Sequence, residues 1–146
     1  MFLVNVQNNL FGASLSGVDL RGVNLSGASL GSANFNSSSL IGVNFSGAFL
    51  NSANLNSTGL IGANLSIADL RIANLSSASL FGANLSNANL SKANLIGADL
   101  SSADLSSANL KNAIYDKETK LPENFDPSKE QMLLIAPSVR LSRWGV

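Results

Sequence analysis

From Leu10 to Leu110 every fifth residue is Leu or Phe, without one polar interruption. The residue two places before each of these centres is nearly always small and apolar: Ala13, Val18, Val23, Ala28, Ala33 and onward to Ala113, with only Ser38 and Thr58 bearing a hydroxyl. A five-residue period matches neither the 3.6 of an amphipathic helix nor the 2 of an ordinary strand ladder. A unit with one large and one small apolar side chain cannot bury itself, so it must stack on copies of itself. The two apolar positions are spaced as same-face residues of an extended segment, which turns the intervening Asn, Asp or Ser outward. The chain must then turn after each short segment. Nine of the twelve glycines (Gly12, Gly17, Gly22, Gly27, Gly42, Gly47, Gly62, Gly82 and Gly97) sit two places after a centre. A type II turn requires positive φ at such a position, and glycine adopts it freely.

A second period sets the number of sides. Leu20-Arg-Gly-Val-Asn-Leu-Ser26 recurs with small changes at Leu40, Leu60 and Leu80. Matching residues twenty apart fit four pentapeptides per coil, each repeat lying above its equivalent. Here the chain resembles the pentapeptide repeat family, whose motif is A-(D/N)-L-x-x. Ala63-Asn64-Leu65-Ser66-Ile67 and Ala103-Asp104-Leu105-Ser106-Ser107 carry that motif as they stand, and the resemblance extends over residues 8–115. It implies an all-β fold, a right-handed quadrilateral β-helix. About five coils are expected, standing about 25 Å tall at the spacing of hydrogen-bonded strands. A weaker resemblance, in the Ile-Tyr-Asp…Thr-Lys…Pro…Phe-Asp-Pro run, is to the end segments of cyanobacterial and plastid members, so a cyanobacterial-type member is expected.

The repeat pattern breaks at Ala113-Ile-Tyr-Asp-Lys117. The chain divides into a β-helix over residues 1–115 and a C-terminal cap and tail over 116–146 of the same domain. The stretch after Lys117 is too polar and too interrupted for another coil. A short helical cap is expected from Pro127 to about Ile135, with Asp126 as N-cap and Pro127 as first residue. A solenoid needs its last coil covered, and Tyr115, Leu121, Phe125, Met132, Leu133 and Ile135 are the expected cover. Ser138 to Val146, with Arg140, Arg143 and Trp144, is expected to form a mobile tail or to fold back.

Composition narrows the chemistry. Without cysteine there is no disulfide or thiolate ligand, and without histidine the commonest general base and metal ligand is missing. Nine basic residues balance nine acidic ones. In the repeats Arg21, Arg71, Lys92 and Lys111 face Asp19, Asp69, Asp99 and Asp104, so no basic patch suits nucleic acid. Met1-Phe-Leu-Val-Asn-Val6 is too short for a signal peptide and no apolar run spans a membrane, so a cytoplasmic protein is expected. No acid–base pair, metal cluster or phosphate loop is legible; a non-enzymatic protein without cofactors follows.

Stacked outward positions give the candidate surfaces. Ser26, Ser46, Ser66, Ser86 and Ser106 form one row, readable as a hydroxyl lattice for ice or carbohydrate, or as ordinary turn residues. Arg21, Ile41, Ile61, Phe81 and Ser101 form another. Its three successive apolar residues make a candidate ridge for an unidentified protein partner, or for self-association, in a monomer or homodimer. A third row, Phe11, Gly31, Asn51, Arg71, Ser91 and Lys111, reads as solvated, and Phe49, Ile67, Ile72 and Ile96 as isolated departures. The resemblance also implies two roles: a rigid interaction scaffold, as in regulatory cyanobacterial members, and imitation of duplex DNA toward gyrase, as in quinolone-resistance members. The second requires a densely acidic rod, which the four-to-four charge balance of these repeats does not supply.

Overall fold

The computed structural model describes residues 9–136. The Ser138–Val146 tail, with Arg140, Arg143 and Trp144, lies outside the described residues, as does the Met1–Val6 segment. Between Asn9 and Lys120 the backbone winds as a four-sided spiral in which each side contributes a single bridge residue. Each bridge residue pairs in parallel with its equivalent one coil on, twenty residues away from Asn9↔Ser29 to Asn94↔Ile114. In chain order, side one carries Asn24, Asn44, Asn64, Asn84 and Asp104; side two Asn9, Ser29, Phe49, Asp69, Asn89 and Asn109; side three Ser14, Asn34, Asn54, Asn74, Asn94 and Ile114; side four Asp19, Ser39, Gly59, Ser79 and Asp99.

Backbone polarity is satisfied between coils rather than within segments. Leu50 N donates to Asp69 O at 2.7 Å, and Phe49 N to Ala28 O at 2.9 Å, and this pair of bonds repeats around the spiral. Nearly every corner is a β-turn closed by the amide after it, as where Ala53 N donates to Leu50 O at 3.0 Å. The third residue of every such turn, from Gly12 through Asn112, has positive φ. The nine glycines expected there are among them. Other corners put Ser, Asn, Lys or Ile into the same left-handed conformation, at Ser32, Asn87, Lys92, Ile67 and Ile72 for instance.

The core is a column inside the square. Leu30 through Leu100 are fully buried at the centre positions, with the alanines between them. Phe35 and Phe45 pack edge to face, their ring centres 5.8 Å apart. Each buried Leu contributes about 1.5–3 kcal/mol by removal from water. The two hydroxyls in the small-residue column are satisfied: Ser38 Oγ donates to Leu15 O and Thr58 Oγ1 to Leu55 O, each at 2.7 Å.

The C-terminal segment departs from expectation in two ways. It contains no helix: Pro127–Gln131 is a turn, followed by a strand. Gln131 N donates to Ser128 O and Met132 N to Pro127 O, and Gln131 takes φ 56°. That left-handed residue ends the helical path after one turn. The next amides then join the ladder, Leu133 N to Ala113 O and Ile135 N to Tyr115 O, both at 2.8 Å. β1 (Ile114–Tyr115) and β2 (Leu133–Leu134) thus pair in parallel. Asp126 still caps, but it caps the turn, accepting from Ser128 N at 3.0 Å and Ser128 Oγ at 2.6 Å.

Nor is the polar stretch excluded from the spiral, since Lys120 bridges Asp99 and Leu100 N donates to Lys120 O at 2.7 Å. Thr119 replaces the missing apolar residue with hydrogen bonds. Its hydroxyl accepts from Asp116 N at 3.0 Å and from Gly97 N at 3.2 Å, and lies 3.0 Å from Leu95 O. Leu121, Phe125 and Tyr115 pack against the core and Met132 is buried, whereas Leu133 and Ile135 are exposed.

Candidate functional surfaces

Regular winding turns sequence spacing into geometry: residues twenty apart share a vertical row about 4.8 Å per step. At the corner joining sides four and one, Ile41, Ile61 and Phe81 stack on successive coils and are 41–49 % exposed. Gly42, Gly62 and Gly82 beside them, each with positive φ, leave open space on that flank. Ile41 leans back over side four, its Cγ1 3.7 Å from where a Cβ on Gly59 would stand. Arg21, at the head of the row, is held by Asp19 through bonds of 2.9 and 2.7 Å. The ridge is therefore apolar with a neutralised ion pair at one end.

The serine row is differently engaged. Ser66 and Ser86 hydroxyls donate back to Asn64 and Asn84 Oδ1 at 2.8 and 2.7 Å, and Ser106 to Asp104. The same oxygens accept the backbone N–H of the serine two residues on. These are Asx turns, and they direct the hydroxyl protons of Ser66, Ser86 and Ser106 into the turn rather than toward a ligand.

Side two and its corners hold what the row-by-row reading kept apart. Among the described residues, the four most exposed large apolar side chains outside β2 are Phe11, Phe49, Ile67 and Ile72, at 55–69 %. Phe49 is the bridge residue of side two, paired with Asp69 on the next coil. Ile67 and Ile72 stand at the two corners bounding Asp69. Phe11 heads the corner between sides two and three, its ring over Gly31. That corner also carries Arg71, Lys92 and Lys111, three of the four cations of the repeats. Arg71 forms a two-pronged pair with Asp69 at 2.8 and 2.7 Å. This pair holds the Asp69 carboxyl below its ordinary range, chiefly through the guanidinium hydrogen bond. No carboxylate lies within 4.0 Å of Lys92 or Lys111 among the described residues. The signal was present in the sequence: one coil of twenty residues takes Phe49 to Asp69, and Ile67, Arg71 and Ile72 stand two before, two after and three after that position.

One shallow recess lies between Ala103–Ser107 and the loop Pro122–Phe125 with Glu130, lined by Asp104, Glu123 and Glu130. Among the described residues no cluster of carboxylates is arranged to hold a metal ion.

The comparisons agree with this architecture. The family described as pentapeptide repeats matches in eight copies, over residues 9–47, 33–71 and 73–112. HetL, a pentapeptide repeat protein involved in heterocyst differentiation regulation in the cyanobacterium Nostoc sp. strain PCC 7120, is 36% identical, with a TM-score of 0.70. The match covers 75% of this chain and 48% of HetL, so the chain spans about half the length of that relative. A pentapeptide repeat protein of the Arabidopsis thaliana thylakoid lumen is 34% identical over 79% of this chain and 73% of its own, with a TM-score of 0.45. Full-length QnrB1, a plasmid-mediated fluoroquinolone resistance protein, shares the fold at 20% identity and a TM-score of 0.50, covering 85% of this chain and 73% of its own. No curated protein sequence matches. With repeats over most of its length and the four-sided winding they impose, the chain belongs to the pentapeptide repeat family and has its right-handed β-helical fold.

Proposed function

We propose that the protein is a non-enzymatic scaffold whose rigid corner ridge, Ile41, Ile61 and Phe81 with Arg21 at its head, docks a protein partner. The supporting observation is the stacking of three half-exposed apolar side chains on consecutive coils, on a backbone locked by bonds between coils. Such a ridge loses little conformational freedom on binding, and pre-organisation of that kind favours affinity. Involvement of HetL in a regulatory process fits a protein that works by contact. Imitation of DNA is the weaker reading: the likeness to QnrB1 concerns the fold, and four aspartates balanced by four cations do not resemble a phosphate-like rod. A cytoplasmic site of action belongs to the same proposal; among the described residues no helix is long and apolar enough to cross a membrane.

Affinity capture from a native lysate tests it, with wild type set against Ile41→Ser, Ile61→Ser and Phe81→Ser combined. All three side chains point out of the core, so the variant is expected to fold with an unchanged melting temperature. A protein retained by wild type and lost by the variant supports the ridge. Identical captures remove it.

A further inference from the structure

The spiral ends on an open edge. On side four the last rung is Lys120, paired with Asp99 below it. Two ladder groups of that rung have no partner among the described residues, the N–H of Leu121 and the carbonyl of Thr119. One coil lower the equivalent groups are both engaged, Leu100 N donating to Lys120 O at 2.7 Å and Lys120 N to Ala98 O at 2.9 Å. Leu100 is accordingly fully buried, whereas Leu121 is only half-buried. An edge of this kind is a template for one more strand. The chain itself is led to it. β2 lies one coil above β1 on side three, and Ile135 N, bonded to Tyr115 O at 2.8 Å, holds the backbone on the ladder up to Ala136, the last described residue. In the register of that pairing Ala136 stands over Lys117, at the corner where side four begins.

We propose that the occupant of this edge is the chain's own segment Val139-Arg140-Leu141-Ser142-Arg143, added as one further pentapeptide of side four. The segment lies outside the described residues, and its sequence carries the pattern of the repeats. Val139, Arg140, Leu141 and Ser142 match Val23-Asn24-Leu25-Ser26 type for type: branched apolar, polar, leucine, serine. It also falls twenty residues after Thr119-Lys120-Leu121-Pro122-Glu123, the spacing at which the coils stack. In that register Leu121 N donates to Arg140 O, Arg140 N donates to Thr119 O, and Leu141 covers Leu121. The length suffices. Three residues, about 10 Å of extended chain, lead from Ala136 to Val139, where the corner beneath uses two from Lys117 to Thr119. Pro137 brings no N–H, and the corner asks for none, since Glu118 N and Thr119 N beneath it bond to Asp116 and not along the ladder. The charge agrees at the far corner. Arg143 falls over Glu123, beside Asp104 and Glu130 of the shallow recess. Those three carboxylates have no cation within 4.0 Å among the described residues. Lys92, with φ 60°, shows that a long basic residue takes this corner position. The adverse contact is Arg140 above Lys120, and it is moderated by Asp99, 3.7 Å from the Lys120 ammonium. Closed in this way, side four offers no edge to a second chain. The proposal shares no residue with the corner ridge and does not depend on it.

Amide hydrogen exchange on the full chain tests the proposed rung. The Leu121 amide is expected to exchange about tenfold or more slowly in wild type than in Leu141→Asp. The Leu65 amide, bonded to Asn84 O deep in the ladder, should be equally protected in both, which shows that the variant folds. Trp144, the single tryptophan of the chain, follows Arg143 directly and reports the same event. Its emission should lie at shorter wavelength in wild type and move to that of a solvated indole in Leu141→Asp. Arg143→Glu should speed exchange at Leu121 about two- to fivefold, and Glu123→Arg added to it should restore the wild-type rate. Equal exchange at Leu121 in wild type and Leu141→Asp overturns the proposal, and so does a charge reversal that restores nothing. Protection of Leu121 that disappears on dilution also overturns it, because the edge is then filled by the segment of a second copy. The Ile41→Ser, Ile61→Ser and Phe81→Ser variant should keep Leu121 protected, so failure of either proposal leaves the other standing.

Discussion

At the scale of single residues, the corner position two after each centre tolerates side chains that its backbone disfavours. Left-handed φ costs an ordinary L-residue about 1–2 kcal/mol, and asparagine bears it better than isoleucine does. Ile67→Asn and Ile72→Asn are each expected to stabilise the protein by about 1 kcal/mol, read from urea denaturation midpoints. The centre positions behave oppositely. Leu65 is fully buried, so Leu65→Ala should cost about 2–5 kcal/mol in the same measurement. The nine glycines made positive φ legible at their own corners, but not that every remaining corner needs it as well. That isoleucine would occupy two of them was also legible, but its cost was not, because conformation is invisible in a residue name.

At the scale of elements, the C-terminal segment shows how hydrogen bonding overrode a helix signal. Asp126 and Pro127 are good starting residues, and Asp126 does accept from Ser128. The last coil nevertheless offered unpaired backbone groups at Ala113 and Tyr115, and β2 took them. A ladder bond to an already rigid edge outweighs the propensity of one marginal helical turn, since short helices are unstable unless packed. The Thr119 hydroxyl completes the preceding side by joining Gly97, Asp116 and Leu95. Thr119→Val keeps the shape and removes the bonds, and should destabilise by about 1–3 kcal/mol. Amide hydrogen exchange is expected to report that loss as faster exchange at Gly97 and Asp116.

At the scale of the whole molecule, acid sensitivity follows from the corner carboxylates. Asp19, Asp69, Asp99, Asp104, Asp116 and Asp126 all have carboxyls held below their ordinary range. For Asp104 the hydroxyl and then the amide of Ser106 are responsible; for Asp99 it is first Ser101, with Lys120 adding a smaller share. At Asp116 partial burial pushes upward but is outweighed by bonds from Gly97, Thr119 and Glu118. A carboxyl lowered by folding contributes stability that is complete above its unfolded value, about 3.9, and is lost as pH falls through the lower folded value. The melting temperature should therefore be flat near neutrality and fall below about pH 4. Asp104→Asn, which can accept the same turn bonds, should weaken that dependence in a calorimetric pH series.

By itself the sequence determined the winding. A fixed period of five with apolar residues two apart requires stacked coils to bury them, and the period of twenty sets four sides, because stacked equivalents must match; the right hand of the coil came from the family likeness. Only the tertiary structure decided the surfaces. Phe49, Ile67 and Ile72 were legible as single departures, and Arg71 and Lys111 as members of a mixed row. Their convergence on one side required the bridge and corner positions to be combined in space, along with the knowledge that Asp69 spends its charge on Arg71. The ladder bonds that drew β2 to β1 were likewise beyond local reading, since the acceptor at Ala113 exists only once the coil beneath it has formed. Pattern fixes what repeats. What the molecule presents depends on which exceptions the repeat brings side by side.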